Sequence, residues 1–166
     1  AICQNGGILM LKYDKKGNPI LVSETIIPYE SALGLTWHRF FEGFKEEKIW
    51  GTKCSKCSRV LVPARSFCPR CFVDMEEWVE VSNEGEVIAW ALTDYEFFGM
   101  PTKPPFISAL IRLCGSDCNF LHLIGGFDLS DLDLVRKTVK NGMKVRAVWE
   151  KEKKGRIMDI KHFEPV

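Results

Sequence analysis

The spacing of four cysteines within residues 54–71, CSKCSRVLVPARSFCPRC, is the feature that most constrains the fold of this chain. They form two Cys-x-x-Cys pairs, Cys54 with Cys57 and Cys68 with Cys71, separated by ten residues. Each pair places two sulfurs on a tight turn, and two facing turns make a tetrahedral site for zinc. Four thiolates fill the coordination sphere of Zn²⁺, so the spacing predicts a structural zinc ribbon. A dithiol redox pair, free cysteines and an iron electron carrier are the alternatives.

Length and composition are those of an ordinary globular chain. The 166 residues are 46% hydrophobic and 27% charged, enough for one medium domain or two small ones that share a core. The formal charge of +1 gives no general attraction to nucleic acid or anionic lipid. No stretch reaches the roughly 20 apolar residues of a membrane span, and the N-terminus lacks the layout of a signal peptide. Seven cysteines, four of them with metal spacing, favour a cytoplasmic location.

The first part of the chain, residues 1–34, is predicted to be an arm that binds a partner. The segments ILMLKYD and ILVSETIIP flank the turn-forming KKGNP, which favours a β-hairpin. A lone hairpin is only marginally stable in water, so it must pack on the body of the protein or on a partner.

An aromatic helix and the cysteine pairs form the second predicted region, residues 35–77. Trp37, Phe40, Phe41 and Phe44 recur with the spacing of one helix face, and Thr36 is a candidate N-cap. Gly51 is expected to close the segment. The aromatic face either packs in the core of this chain or docks in a groove of another subunit.

The third predicted region, residues 78–166, reads as β-structure with one short insert. Five or so strands, a small helix and a long strand that contains glycine favour a closed barrel of the OB type, with a small sandwich as the alternative. The fold class is therefore mainly β. The predicted strands lie in the segments EEWVEVS, GEVIAWALTDYEF, PPFISALIRLC, NFLHLIGGF, GMKVRAVWE and GRIMDIKHFEPV.

The order of these features resembles the rubredoxin-like zinc ribbon/OB-fold family of acyl-CoA-associated proteins, over roughly residues 35–166. The resemblance is carried by the aromatic helix, the Cys-x-x-Cys…Cys-Pro-x-Cys ribbon, GEVIAWALTDYEF, PPFISALIRL, the pair Gly125-Gly126 and NGMKVRAVWE. After the second and fourth cysteines, this chain has Ser58 and Phe72 where such knuckles usually carry glycine for a left-handed turn.

The resemblance implies a non-catalytic subunit of an acyl-CoA-processing enzyme complex, with zinc as a structural metal. The implied partner is a thiolase-like or ketoacyl synthase-like transferase, and a subunit of an enoyl-CoA hydratase complex is an alternative. Coenzyme A or acyl-CoA is the implied ligand, shared with that partner. Docking would use the helix side chains Trp37, Phe40, Phe41 and Phe44.

The segment 136–156 carries the strongest local charge, with nine basic residues against two acidic ones. This segment is either a solvated edge or a site for the phosphates of coenzyme A, with Lys144 and Arg146 on one strand face and Lys103 from a proline-rich loop.

No catalytic constellation is recognisable in the sequence. His38, His122 and His162 lie far apart and outside any motif with a nucleophile, so structural roles are expected for them. Single-stranded nucleic-acid binding by an OB barrel is the competing function, with aromatic platforms at Trp90, Tyr95, Phe97 and Phe98. The net charge of −1 over residues 78–166 argues against it.

Overall fold

A computed structural model of the chain describes residues 9–23, 29–96, 100 and 102–166. The chain divides into two compact units, Ala1–Ala32 and Leu33–Val166. The described residues form ten strands and two α-helices, which confirms the predicted mainly β fold class. Phe97 and Phe98, two of the candidate nucleic-acid platforms, lie outside the described residues.

The first unit contains a two-stranded antiparallel hairpin. Strand β1 covers Leu9–Tyr13 and pairs with β2, Pro19–Ser23. The side chain of Asp14 accepts a hydrogen bond from the backbone N–H of Asn18 at 2.9 Å, and Gly17 has a φ of +81°. The turn therefore forms at the Gly/Asn/Pro segment that signals it in the sequence.

Helix α1 covers Gly34–Phe44 and begins earlier than predicted. The first residue of the helix, Gly34, has a φ of +71°, a conformation that glycine adopts without strain. Because the helix begins at Gly34, Thr36 lies within its first turn and is not the N-cap. Gly51 does not close the segment but lies in the next strand. A Cβ atom there would come within 2.9 Å of the Val60 side chain, so glycine permits close packing of the two strands.

A three-stranded antiparallel sheet supports the cysteine pairs. Its strands are β3, Ile49–Lys53, at the centre, with β4, Val60–Leu61, and β5, Glu77–Val81, on either side. The sequence pattern predicts the β5 segment as a barrel strand, but this segment pairs with β3 along its whole length. An alternating strand looks the same whichever antiparallel neighbour it has, so the sequence did not distinguish the two sheets.

Five strands close into the predicted OB-type barrel, which decides against the sandwich. Their order is β10-β8-β7-β6-β9, and β10 returns to pair with β9. Helix α2, Leu132–Thr138, joins β8 to β9, and a short 3₁₀ helix, Ile157–Asp159, precedes β10. The barrel strands are β6 (Glu84–Thr93), β7 (Phe106–Leu113), β8 (Phe120–Ile124), β9 (Lys144–Trp149) and β10 (Ile160–Pro165).

One buried cluster of apolar side chains joins the helix, the small sheet and the barrel within Leu33–Val166. It includes Phe40 and Phe44 of α1, Ile49 of β3, and Phe120 and Phe163 of the barrel. Because all five are at most 2% exposed, the helix is part of the barrel's core and the cysteine-bearing sheet is fixed to the same body.

Candidate metal centre and its surroundings

The two cysteine pairs lie on turns with the same backbone hydrogen bonds. In the first turn, the N–H of Ser58 donates to the Cys54 carbonyl at 2.8 Å. In the second, the N–H of Phe72 donates to the Cys68 carbonyl, also at 2.8 Å. The two turns are therefore equivalent knuckles.

Both knuckles contain the left-handed residue that such turns require, although neither residue is glycine. Ser58 has a φ of +59° and Phe72 a φ of +55°. A side chain in this region costs roughly 1–2 kcal/mol per residue, which the surrounding fold must offset. The departure from the usual glycine thus changes the residue and leaves the turn geometry intact.

The four sulfurs converge on one point. The Sγ atoms of Cys54, Cys57, Cys68 and Cys71 all lie within 4.8 Å of one another, and the Cys57 and Cys68 sulfurs are 3.8 Å apart. A tetrahedral zinc site with Zn–S bonds of about 2.3 Å places its sulfurs about 3.8 Å apart. The residues therefore fit a four-sulfur zinc site, and among the described residues this is the one cluster of metal-binding groups.

The pKa values of the two thiols of the second pair, Cys68 and Cys71, are shifted in opposite directions. Burial opposes ionisation of Cys68, but backbone N–H groups of Cys71 and Arg70 and neighbouring thiols lower its pKa to about 7. The hydrogen bond with Cys57, then burial, raises the pKa of Cys71 to about 12. A cation bound by the sulfurs would favour their ionised form.

Two of the cations near the cysteines are engaged by other groups. Lys53 Nζ lies 3.1 Å from Glu77 Oε1, and Arg59 Nη2 donates to the Asp117 carbonyl at 3.3 Å. The ion pair offsets the charge of Lys53, whereas the Arg59 guanidinium keeps its charge but is held by a neutral carbonyl.

A loop of the barrel holds the free edge of β4. The N–H of Val60 donates to Asp117 Oδ2 at 2.8 Å, and the N–H of Asp117 donates back to the Val60 carbonyl at 2.9 Å. Next to them, the Cys118 thiol donates to the Val62 carbonyl at 3.0 Å and accepts from the Val62 N–H at 2.9 Å. No local pattern in the sequence indicates this edge contact, because it joins residues 56 positions apart.

The predicted docking face of helix α1 is divided between core and surface. Phe40 and Phe44 are 1% and 0% exposed, so they are committed to the core of this chain. Phe41 is half-buried, and Trp37 is 47% exposed. Of the four aromatic side chains, Trp37 is the one that presents a large apolar surface to solvent.

Trp37 borders an apolar groove at the start of α1, which we call the helix-start groove. Its volume is about 370 Å³, and its exposed apolar members are Leu33, Leu35, Trp37 and Phe67. Leu35 is 88% exposed, an unusual position for a leucine beside three other exposed apolar side chains. Of these four residues, the aromatic periodicity of the helix predicted only Trp37. Phe67 lies in the ribbon, outside the helix pattern.

The structure separates the three cations expected at a coenzyme A site. Lys144 Nζ lies 2.7 Å from Glu86 Oε2, and Arg146 Nη2 lies 2.6 Å from Glu84 Oε1, both on the outer face of the barrel. Lys103 precedes β7 at the end paired with Thr93, whereas Glu86 pairs with Arg112 near the other end of β7. The three cations therefore do not converge on one site.

The histidines occupy different environments. His122 is 6% exposed, and its Nε2 lies 3.2 Å from the Ile157 carbonyl; burial lowers its pKa, so the ring is neutral at pH 7. His162 is half-buried, and burial followed by the charge of Lys161 lowers its pKa. His38 is exposed on α1.

The pair of knuckles followed by a closed five-stranded barrel defines a zinc ribbon/OB-fold protein. Two family models match: the ChsH2 rubredoxin-like zinc ribbon domain over residues 41–76 and the ChsH2 C-terminal OB-fold domain over residues 78–150. The chain belongs to the ChsH2 (DUF35) family, which confirms the resemblance noted in its sequence. Within the described ranges, no helix is both long enough and apolar enough to cross a bilayer.

Two solved structures share the fold of this chain. A DUF35 family protein of unknown function from Sulfolobus solfataricus is 30% identical, with a TM-score of 0.59 over 80% of this chain and 87% of that chain. The Ltp2–ChsH2(DUF35) aldolase is 19% identical, with a TM-score of 0.60 over 82% of this chain and 98% of that chain. A comparison with curated proteins found no match.

Proposed function

We propose that this chain is a non-catalytic accessory subunit of an acyl-CoA-processing enzyme with a thiolase-like partner, and that the helix-start groove docks on that partner. The observation that carries the proposal is the exposed apolar surface around Trp37 and Leu35, on a helix that Phe40 and Phe44 fix in the core. A rigid helix with an exposed tryptophan is suited to anchor an interface.

The proposed metal is zinc in a structural role. Cys54, Cys57, Cys68 and Cys71 would hold it, and the bound metal would stabilise the two knuckles without offering an open coordination position. The chain's own residues would therefore hold the ribbon in place beside the helix-start groove, to which Arg65, Ser66 and Phe67 of the ribbon also contribute.

The family assignment supports a partner enzyme. One structural neighbour is named as an aldolase that combines Ltp2 with ChsH2(DUF35), so a chain of this fold occurs together with another protein in an aldolase. By analogy with that neighbour, we propose that the partner of this chain supplies the reacting groups.

We also retain coenzyme A as the proposed ligand shared with the partner. Lys144 and Arg146 would have to release Glu86 and Glu84 to contact it, and exposed ion pairs of this kind are worth only about 0–1 kcal/mol. Lys103 would contact another part of the same ligand or of the partner.

The docking proposal is tested with the paired substitution Leu35→Gln/Trp37→Gln. Glutamine favours helix formation, so the change removes exposed apolar surface without disturbing α1. The tagged full chain should recover a stoichiometric acyl-CoA enzyme from its native source, identified by mass spectrometry, and the double variant should lose it. The matched control is Leu134→Gln, which alters an exposed leucine (55%) on α2 and should retain the enzyme.

Two outcomes would contradict this proposal. One is full recovery of the same complex by the double variant. The other is turnover of acyl thioesters by this chain alone, which would place the reacting groups here.

A further inference from the structure

The three-stranded sheet of the ribbon has two edges, and the structure covers them differently. At the β4 edge, Asp117 and Cys118 bind backbone groups of Val60 and Val62. At the opposite edge, β5 pairs with β3 and with no other strand of the described residues. An unpaired edge presents backbone N–H and C=O groups to which another extended segment can bind. We call this outer side of β5 the β5 edge.

The hydrogen bonds of the neighbouring strand determine which groups of β5 point outward. Directly after β3, the N–H of Cys54 donates at 2.9 Å to the carbonyl of the residue before β4. Backbone direction alternates along a strand, so Lys53 and every second residue before it point toward β5. These residues are paired with Glu77 and every second residue after it. The N–H and C=O groups of Trp78 and Glu80, which lie between them, therefore point outward.

The residues after β5 follow the same alternation. The N–H of Ser82, two positions beyond Glu80, donates at 3.0 Å to the carbonyl of Cys114, outside the three-stranded sheet. In the part of the chain that the structure describes, no hydrogen bond from another segment reaches the backbone of Trp78 or Glu80. Glu80 is exposed and Trp78 is half-buried. Two N–H and two C=O groups are therefore available to a further strand.

The part of the chain around β5 is acidic. Residues 71–102 contain eight acidic residues and no lysine or arginine. Four of the eight form ion pairs with cations elsewhere in the chain: Glu77, Glu84, Glu86 and Asp94. Glu76, immediately before β5, and Glu80, within it, are exposed and have no ion pair among the described residues.

The nearby cations are engaged by other groups. Lys48 forms its ion pair with Glu46 at 2.9 Å and not with Glu80. The guanidinium of Arg39 lies over the Trp78 ring at 4.4 Å, a cation–π contact that holds the ring against helix α1. The β5 edge therefore combines free backbone groups with negative charge that no ion pair compensates.

The charge of the β5 edge selects the strand that can bind there. Carboxylates repel an acidic strand, including the β5 edge of a second copy, and attract a strand that carries lysine or arginine. We propose that the β5 edge binds an extended basic segment of another polypeptide, which becomes a fourth strand of the sheet. Backbone hydrogen bonds to Trp78 and Glu80 provide the pairing, and cations opposite Glu76 and Glu80 provide the specificity.

The test uses the purified full chain and the blocked heptapeptide KVKVKVK as the probe, with hydrogen–deuterium exchange read by NMR. Without the peptide, the amides of Trp78 and Glu80 should exchange faster than those of Glu77 and Val79, which bond to β3. At a peptide concentration about ten times the Kd measured by calorimetry, exchange at Trp78 and Glu80 should slow about tenfold.

Two peptide controls separate strand pairing from charge attraction. The heptapeptide KPKPKPK has the same charge, but proline disfavours strand pairing, so it should not slow exchange at Trp78 or Glu80. The acidic heptapeptide EVEVEVE should not bind. Equal binding of KVKVKVK and KPKPKPK, or no saturable binding of KVKVKVK, would overturn the proposal.

The charge requirement is tested with Glu76→Gln/Glu80→Gln, which should weaken binding of KVKVKVK about fivefold. The matched control Glu152→Gln/Glu164→Gln removes two exposed carboxylates of the barrel and should retain the affinity. Equal weakening by both variants would mean general attraction and contradict the proposal.

Two further outcomes concern the source of the strand and the other proposed interface. Slow exchange at Trp78 and Glu80 that depends on protein concentration, without peptide, would show that a second copy covers the edge and would overturn the proposal. The helix-start groove shares no residue with β5, so Leu35→Gln/Trp37→Gln should still bind KVKVKVK. Loss of peptide binding in that variant would contradict the assignment of the site to the β5 edge.

Discussion

At the scale of single residues, Asp159 is the buried charge on which the β9–β10 loop depends. Burial opposes its ionisation, but the backbone N–H groups of Lys154, Arg156 and Gly155, with the charge of Arg156, lower its pKa below the usual value. The charged form is thus favoured in the folded state, and this preference links stability to pH.

We predict that Asp159→Asn lowers the free energy of unfolding at pH 7 by about 1–3 kcal/mol, because the three N–H groups lose a charged acceptor. A lowered folded-state pKa gives stability that is present above the unfolded pKa of about 3.9 and is lost as pH falls through the folded value. Denaturant unfolding at pH 7 and pH 3 should therefore show the two proteins converging at the lower pH. A difference that stays constant between these pH values would contradict this account.

The metal-binding residues could be predicted from their local spacing, whereas the role of Asp159 could not be predicted from the sequence. Cys54 and Cys57 are close in sequence and bring their own turn, and the same holds for Cys68 and Cys71. Asp159 accepts the three backbone N–H groups only after the preceding loop has folded over it. Hydrophobic periodicity in the sequence does not indicate such a contact.

At the scale of elements, the edge formed by β4 and the following Val62 is one link between ribbon and barrel, beside their shared core. Val62 pairs both of its backbone groups with the Cys118 thiol, so the contact replaces a strand neighbour. A sheet edge left unpaired in a partly buried position would carry two unsatisfied polar groups.

We predict that Cys118→Ala lowers the free energy of unfolding by about 1–3 kcal/mol, because both groups of Val62 lose their partner. Zinc content per chain should not change, since Cys118 is not one of the four converging sulfurs. Cys114→Ala is the control: that thiol is exposed, and the effect should stay within about 0.5 kcal/mol. Loss of zinc from Cys118→Ala, or equal destabilisation by both variants, would refute this reading of the edge.

The sequence pattern predicted the apolar face of helix α1 but not which part of that face is buried. The spacing of Trp37, Phe40, Phe41 and Phe44 indicated an apolar face and left open whether core or partner covers it. The structure divides the face, because Phe40 and Phe44 are buried whereas Trp37, nearer the start of α1, is 47% exposed. Tertiary packing decides which end of a helix is buried, and the sequence of the helix alone does not indicate it.

At the scale of the whole molecule, we expect metal binding and barrel stability to be coupled within Leu33–Val166. The sheet that carries the knuckles shares its core with the barrel, and β4 is tied to a barrel loop. Structural zinc sites stabilise their folded state by roughly 10–16 kcal/mol in small peptides, so the metal would support more than the two turns that bind it.

The proposed four-sulfur zinc site is closed, anchors the fold and takes no part in a reaction. X-ray absorption spectroscopy of the purified full chain at the zinc edge, with elemental analysis for zinc and iron, is the sharpest test of this proposal. We predict one zinc per chain with four sulfur ligands at about 2.3 Å and no oxygen or nitrogen ligand. A coordination sphere in which exchangeable water replaces a sulfur, or iron in place of zinc, would contradict the account.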